Sequence, residues 1–301
     1  MNTSKSPLVS VIIPVYNGEE YIEDAIRSVN SQTYGNIEII IVDDASEDKS
    51  LEKIHKLKDK IGRKTKIFSH DVNKGISKAR NKGIKNSRGE YISLLDQDDY
   101  YYENRIEYIL DNLEDEYGLV LNNTHAIDKS GNRIGEGDVS KILNMGDDEL
   151  VLYIYLFKYL WDDARLPLTT EFLPRSTFEE IGYFDTELKY INDKEFLIRV
   201  LQKFDLKIIP EYLSAKRYHP SQTSNLNLDL VRDHELLTEK AKKYHPFLQK
   251  YEGERRSTLN LSKSYIKLKN GKYICSLYFL LQSIIRNPKT FSKNIFRILH
   301  T

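Results

Sequence analysis

At 301 residues, with 40% hydrophobic and 30% charged side chains, the chain is too apolar for a disordered polymer and long enough for one large core or two smaller ones. Its 45 basic and 45 acidic side chains cancel, which excludes the clearly basic balance of a nucleic-acid binder, so any partner has to be read from local sites. The single cysteine, Cys275, and the lack of a signal peptide before Pro7-Leu8-Val9 predict a reducing, cytoplasmic compartment; the sequons at Asn2, Asn122 and Asn260 are then chance matches.

In the first hundred residues short β-branched runs alternate with helical patterns, as βαβ units around a mainly parallel sheet require. Residues 8–13 read as a buried strand, and Tyr21, Ile22, Ala25, Ile26 and Val29 then fall on one helical face. A second strand, 37–42, ends at Asp43-Asp44. After it Ser46 is placed to cap a helix with Glu47 and Asp48 in its first turn and Leu51, Ile54 and Leu57 on its apolar face. A third strand covers 66–69, Asn73-Lys74-Gly75 turns into a helix over 76–85, and Arg88-Gly89 leads into a fourth strand, 90–95. That strand delivers Asp96-Gln97-Asp98-Asp99 at its carboxyl end.

From about Arg105 the pattern loosens into a helix through Leu113, a short strand near Leu119, a polar stretch over 128–138 and an aromatic-rich helical stretch over 150–161. A loop and strand at 170–173, a helix from Ser176, another over 193–204 and a strand at 207–209 follow. Beyond Asn225 only Lys-rich helical patterns remain. The expected domains are one over 1–224, in two halves that meet at about residue 104, and a helical extension over 225–301. The apolar run 273–285 is shorter than the roughly 20 residues of a membrane-spanning helix. Basic residues flank it: Lys267, Lys269 and Lys272 before, Arg286, Lys289, Lys293 and Arg297 after. Two readings of 265–298 stay open, an amphipathic helix packed on the catalytic domain and peripheral contact with the inner face of the cell membrane; the tail is also open to docking on a second copy of the chain.

In an open parallel sheet, ligands bind beyond the carboxyl ends of the strands. Three such ends carry polar groups here: Pro14-Val15-Tyr16-Asn17, Asp43-Asp44 and Asp96 to Asp99. A helix-capping pair and an exposed acidic turn would account for the last two separately. Together, three carboxylates in four residues after the apolar Ile92-Ser93-Leu94-Leu95 imply a neutralising cation. Oxygen ligands favour Mg²⁺ or Mn²⁺, which typically share their shell with substrate phosphates. No Gly-x-Gly-x-x-Gly turn follows the first strand, no Gly-Lys-Ser/Thr phosphate loop is present, and the seven histidines lack zinc-ligand spacing.

These motifs, in this order, resemble the family 2 inverting glycosyltransferases, which have the GT-A fold, over roughly residues 8 to 220. Val9-Ser10-Val11-Ile12-Ile13-Pro14-Val15-Tyr16-Asn17 resembles the family's first strand and nucleotide loop, and Ser31-Gln32-Thr33-Tyr34 the end of its first helix. Glu38 through Ser46 is similar to the second strand, in which an aspartate reads the nucleotide base, by position Asp44. Asn73-Lys74-Gly75 with Ala79-Arg80-Asn81-Lys82-Gly83-Ile84 resembles the helix that closes over the nucleoside. The resemblance implies donor contacts from Pro14, Tyr16, Asn73 and Arg80, Asp98 as direct metal ligand, and Asp96 near the ribose or donor sugar. Tyr16 can stack on the base. Asn192-Asp193-Lys194-Glu195-Phe196-Leu197-Ile198-Arg199 matches the family's base segment and implies Asp193 as catalytic base, with Asn192 where an acidic neighbour usually stands. Tyr218-His219-Pro220-Ser221 looks like the closing loop, with His219 toward the diphosphate.

The implied activity is inverting, metal-dependent transfer of a hexosyl or N-acetylhexosaminyl group from a nucleotide sugar, with uridine the expected base, to a hydroxyl of a glycan or lipid-linked acceptor in capsule, exopolysaccharide or cell-wall synthesis. Two rival readings are a non-catalytic nucleotide-sugar binding protein, which Asn192 favours, and a sugar-phosphate nucleotidyltransferase. The latter needs a Gly-rich, Arg-containing turn that Pro14-Val15-Tyr16-Asn17-Gly18 does not provide.

Overall fold

The computed structural model of the chain describes residues 6–113, 117–139, 171–219 and 227–299. Contacts divide it into two compact units, Met1–Asn144 with Arg165–Thr186 and Lys203–Pro220, and Met145–Ala164 with Glu187–Gln202 and Ser221–Thr301.

The first unit is built on a sheet of nine strands. Strands β1 (Val9–Val15), β2 (Ile37–Asp43), β3 (Lys64–Ser69) and β4 (Tyr91–Leu94) run parallel in the order β3-β2-β1-β4. Every residue of β1 and β2 is buried, which is why both read as unbroken apolar runs rather than alternating ones. Helices α1 (Ile22–Asn30), α2 (Ser50–Lys58) and α3 (Ile76–Asn86) connect them. Tyr21, Ile22, Ala25, Ile26 and Val29 are all buried, so the apolar stripe read for the first helix is its packed face. Beyond β4 come β5 (Tyr100–Tyr101), α4 (Arg105–Asp111), β6 (Leu119–Ile127), β7 (Arg133–Gly137), β8 (Phe172–Pro174), α5 (Arg175–Ile181) and β9 (Leu206–Arg217). The sheet continues β4-β8-β6-β9-β5, with β7 on β6. Only β6 and β9 are parallel there; β8 is antiparallel to β4 and β6, β7 to β6, and β5 to β9. The mainly parallel sheet expected from the first hundred residues is therefore found in β3-β2-β1-β4.

Two expectations need correction. Ser46 caps no helix: α2 starts at Ser50, and the Ser46 hydroxyl instead accepts from the Asn17 N–H at 3.0 Å. The strand read at 207–209 is twelve residues long, because Tyr212, Lys216 and Arg217, polar residues that hide a strand in the sequence, continue the ladder by pairing with Asn123, Ala126 and Ile127 of β6. Asn122 is fully buried and hydrogen-bonded to Arg105 and Ser214, closed to any glycosylating enzyme in the folded protein. The aromatic-rich stretch at 150–161 lies outside the described residues.

The second unit is helical among its described residues: α6 (Asn192–Val200), α7 (Leu228–Tyr244), a 3-10 turn over Pro246–Tyr251, α8 (Glu252–Lys269), α9 (Tyr273–Arg286) and α10 (Pro288–Leu299). The Asn227 side chain accepts from the Leu230 N–H at 2.8 Å and caps α7. Leu188, Ile191 and Ile198 form one core with Leu237, Ala241 and Leu248. A single cut at residue 224 is thus not how the contacts fall: the segment that carries Asp193 groups with the carboxyl-terminal helices. No described helix is long and apolar enough to cross a membrane.

Candidate active site

The carboxyl ends of β1, β2 and β4 place three loops side by side. The link between the first and third is Gln97. Its Oε1 accepts from the Tyr16 N–H at 2.8 Å and its Nε2 donates to the Tyr16 carbonyl at 3.0 Å. Gly18 lets this clasp form, since a Cβ there would lie 2.3 Å from Gln97 Oε1. Asn17 sits at φ 48°, a left-handed conformation that Asn tolerates, and its side chain accepts from the Glu47 N–H at 2.8 Å. The β1 loop is therefore tied to both neighbours, and Tyr16 is left 42% exposed with its ring available for stacking. Pro14 is buried inside β1 and offers a ligand no side-chain polar group.

Asp44 organises the second loop. Its Oδ1 lies 2.6 Å from His70 Nδ1 and accepts from the Lys74 N–H at 2.9 Å, while Oδ2 accepts from the Gly75 N–H at 2.7 Å. A carboxylate oxygen has two lone pairs, so one acceptor position remains, on Oδ2. Gly75 at φ 89° opens α3 in a conformation other residues avoid. The Asn73 side chain, exposed, also accepts from the Gly75 N–H, at 3.1 Å. Asp44, expected to read the base, is thus buried and holds the 70–75 loop, with limited capacity left for a base.

Three cationic side chains, Arg80, Arg217 and Lys216, and the imidazole of His219 surround the acidic loop after β4. Arg80, buried on α3, donates to Asp96 Oδ1 at 2.7 Å. His219 Nε2 lies 3.0 Å from Asp98 Oδ2, and its ring packs on Tyr21 with centroids 4.9 Å apart. Arg217 donates its backbone N–H to Asp99 Oδ1 at 2.9 Å and its Nε to the Asp98 carbonyl at 3.0 Å; its guanidinium stacks over Tyr21, 4.7 Å from the ring centroid. Asp99 is 2% exposed, and its second oxygen has no hydrogen-bond partner among the described residues. Burial first, then the charges of Asp98 and Asp96, push its carboxyl well above the ordinary aspartate range, with Lys216 acting against them. Burial opposes the charge of Lys216, but Asp99, Asp96 and Asp98 together raise its amine above the ordinary lysine range.

A divalent cation fits this chemistry. Asp98 presents an oxygen, Oδ1, without a hydrogen bond among the described residues, its side chain is 21% exposed, and two further carboxylates, Asp96 and Asp99, stand in the same loop. Among the described residues no three His, Cys, Asp or Glu side chains converge as a preformed cage. Mg²⁺ and Mn²⁺ take one or two carboxylates and complete the shell with phosphate oxygens and water.

Eight of the nine residues singled out from sequence or resemblance, Pro14, Tyr16, Asp44, Asn73, Arg80, Asp96, Asp98 and His219, lie in the first unit, and Arg80, Asp96, Asp98 and His219 are joined directly in pairs. Asp193 lies in the second unit, in the first turn of α6, where its Oδ1 accepts from the Lys194 N–H at 2.8 Å. Asn192 beside it is buried, and Glu195 and Arg199 form a two-pronged pair at 2.7 and 2.8 Å. Gln97, Arg217 and His70 have structural parts that sequence reading did not assign. Gln97 was in plain view between Asp96 and Asp98, but its partner is backbone, which leaves no trace in residue type.

Residues 10–164 match the family described as glycosyl transferase family 2. An uncharacterised glycosyltransferase of Rickettsia typhi is 35% identical over 235 residues, 77% of this chain and 70% of that protein. The uncharacterised glycosyltransferase EpsJ of Bacillus subtilis is 27% identical over 235 residues, 76% of this chain and 67% of its own. Among solved structures, S. aureus TarS 1–349 in complex with UDP-GlcNAc superposes with a TM-score of 0.66 at 18% identity, covering 94% of this chain and 82% of that one. The mannosyltransferase PcManGT of Pyrobaculum calidifontis, in complex with GDP-Man and Mn²⁺, gives 0.61 at 14% identity over 94% and 76%. At these identities the structural likeness establishes the GT-A fold.

Proposed function

Because the chain belongs to glycosyl transferase family 2, we propose that it moves a hexosyl or N-acetylhexosaminyl group from a UDP-sugar to an acceptor hydroxyl, with inversion at the anomeric carbon and with Mn²⁺ or Mg²⁺ bound. The acceptor is a glycan or lipid-linked glycan of capsule, exopolysaccharide or cell-wall synthesis. The observation that carries the reading is Asp98: a partly exposed carboxylate with one open oxygen, at the carboxyl end of β4, flanked by two more carboxylates and by His219. Uridine is preferred because the uridine-bound TarS superposes well on this chain; the GDP-Man complex of PcManGT keeps guanosine as the alternative to test.

Each residue then has one part in a single displacement. Tyr16, held by Gln97, stacks on the base. Arg80 and Asp96 position the ribose or donor sugar, and His219 donates a hydrogen bond to the diphosphate. A cation on Asp98, when bound, neutralises the charge that gathers on the leaving diphosphate. Asp193 takes the proton from the acceptor hydroxyl as its oxygen bonds to the anomeric carbon and the bond to the diphosphate breaks; base catalysis of this kind supplies about 10²–10⁴-fold. Asn192 in place of an acidic neighbour supports a second reading, a binding protein without turnover.

Isothermal titration of UDP and GDP into wild type and Asp98→Ala, with and without Mn²⁺, tests the proposal. Metal-dependent binding of UDP to wild type that Asp98→Ala abolishes is the expected result. Metal-independent binding in both proteins would sink the role of Asp98, and failure of every nucleotide to bind would sink the donor class. Binding of UDP-sugars without hydrolysis or transfer would establish the second reading.

A further inference from the structure

Helix α9 is packed with the wrong side outward. Its fully buried contacts are serines, with Phe279 and Leu280 half-buried beside them: Ser283 Oγ donates to the Ser257 carbonyl at 2.7 Å, and Ser257 Oγ returns a bond to the Ser283 carbonyl at 2.8 Å. One heptad earlier Ser264 Oγ donates to the Ser276 carbonyl at 2.9 Å. Ser276 and Ser283 are the buried residues of α9. At 100° per residue Ile274, Leu277, Tyr278, Leu281 and Ile285 fall on the opposite side of the helix, and they are 50–87% exposed. A water-facing helix normally carries these polarities the other way round.

The charge around this face is equally lopsided. No Asp or Glu follows Glu254, whereas residues 255–301 hold ten Lys and Arg in a chain of zero net charge. Three of the ten are accounted for within the fold. Arg255 is buried, Arg256 pairs with Glu252 and Glu239, and Lys263 pairs with Glu235. Lys267, Lys269, Lys272, Arg286 and Lys289 stand at the two ends of α9 and make no ion pair among the described residues.

We propose that α9 is a membrane-docking helix that lies in the interface of an anionic bilayer, burying the Ile274, Leu277, Leu281 and Ile285 face among the acyl chains, with the flanking lysines and Arg286 on the lipid headgroups. An apolar face bracketed by cations is what such an interface selects. A second copy of the chain is a poor occupant, because face-to-face pairing would bring two unpaired cationic clusters together. This inference does not depend on the sugar or acceptor assigned above.

Co-sedimentation of the full chain with vesicles of phosphatidylcholine, or of an equal mixture with phosphatidylglycerol, tests it, with light scattering of the free protein alongside. Wild type is expected to bind the anionic vesicles roughly tenfold or more tightly than the neutral ones, less so in high salt. Ile274→Ser with Ile285→Ser should abolish binding to both. Lys272→Glu with Lys289→Glu should remove only the preference for anionic lipid. These side chains are exposed, so unchanged thermal unfolding and UDP binding verify that each variant folds. Wild type that fails to sediment with anionic vesicles overturns the proposal. So does a wild-type dimer that the isoleucine variant converts to monomer without any vesicle binding, since the face then belongs to a second copy.

Discussion

Gln97 holds the main chain of Tyr16 at both its N–H and its carbonyl, at 2.8 and 3.0 Å. One carboxamide thereby joins the loop after β1 to the acidic loop after β4. Gln97→Ala removes both bonds, each worth about 0.5–1.5 kcal/mol, so UDP affinity should fall roughly tenfold while the melting temperature drops little. Gly18→Ala should give a similar loss by another route, because its new methyl meets Gln97 Oε1. Titration of UDP into both variants checks this, and an unchanged dissociation constant in Gln97→Ala would remove the clasp from the binding site.

Much of this arrangement was legible beforehand, and the reason is physical. Strands buried on both faces, such as β1 and β2, leave continuous apolar runs, and α1 leaves a stripe at helical spacing. The acidic loop is legible because like charges in sequence have to be compensated in space. What escaped notice is mediated by backbone or by distant polar partners. The bond of Ser46 to the Asn17 N–H looks, in sequence, the same as a helix cap. The grouping of α6 with the carboxyl-terminal helices rests on Leu188, Ile191 and Ile198 meeting Leu237, Ala241 and Leu248, a pairing no local pattern announces.

Arg80 and Asp96 form a pair in which the arginine side chain is 5% and the aspartate 20% exposed. Arg80→Ala leaves Asp96 beside Asp98 and Asp99 with no cation of its own. Breaking a buried pair costs about 3–5 kcal/mol, and the partial exposure of Asp96 reduces that to about 2 kcal/mol. A double-mutant cycle with Asp96→Asn, read by urea unfolding, should recover a coupling of about 1 kcal/mol or more. Additive losses would mean that the two side chains touch without holding one another.

Asp193 has two possible uses that different measurements separate. As a first-turn carboxylate it stabilises α6 through the helix dipole by a few tenths to about 1 kcal/mol. As the base it contributes to turnover and hardly at all to donor binding. Asp193→Asn is expected to lower kcat by about 10²–10⁴-fold with UDP affinity unchanged. A variant that loses stability but keeps its kcat would return Asp193 to the structural role and leave the base to be found elsewhere.

The helical unit should be sensitive to mild acid, through His234. It is buried on α7, and its Nδ1 lies 2.6 Å from a guanidinium nitrogen of Arg255, so that nitrogen must be the acceptor. Burial first, then the charges of Arg255 and Lys194, hold His234 well below the ordinary histidine range; burial brings Arg255 itself down to about 9, with Glu235 acting the other way. A histidine neutral in the fold but free to protonate when unfolded has a depressed folded pKa. Its contribution is complete above the unfolded value of about 6.5 and is lost as pH falls toward the folded value, by up to about 1.4 kcal/mol per pH unit. His125, in the first unit, is displaced the same way by burial and Arg133 and adds to the slope. Carboxylates held low in the fold, such as Glu252 and Glu38, give up their stabilisation only below about pH 4.5; Asp99, held high, works the other way and gains stability as pH falls, so the loss on acidification from about 6.5 to 5 comes from the histidines. His234→Gln keeps an acceptor for Arg255 but cannot gain a proton. Thermal unfolding of wild type should therefore shift downward between pH 7.5 and 5.5, and His234→Gln should shift less far, with His125 supplying the remainder. An equal shift in both proteins would mean that His234 titrates normally and that its contact with Arg255 opens in solution.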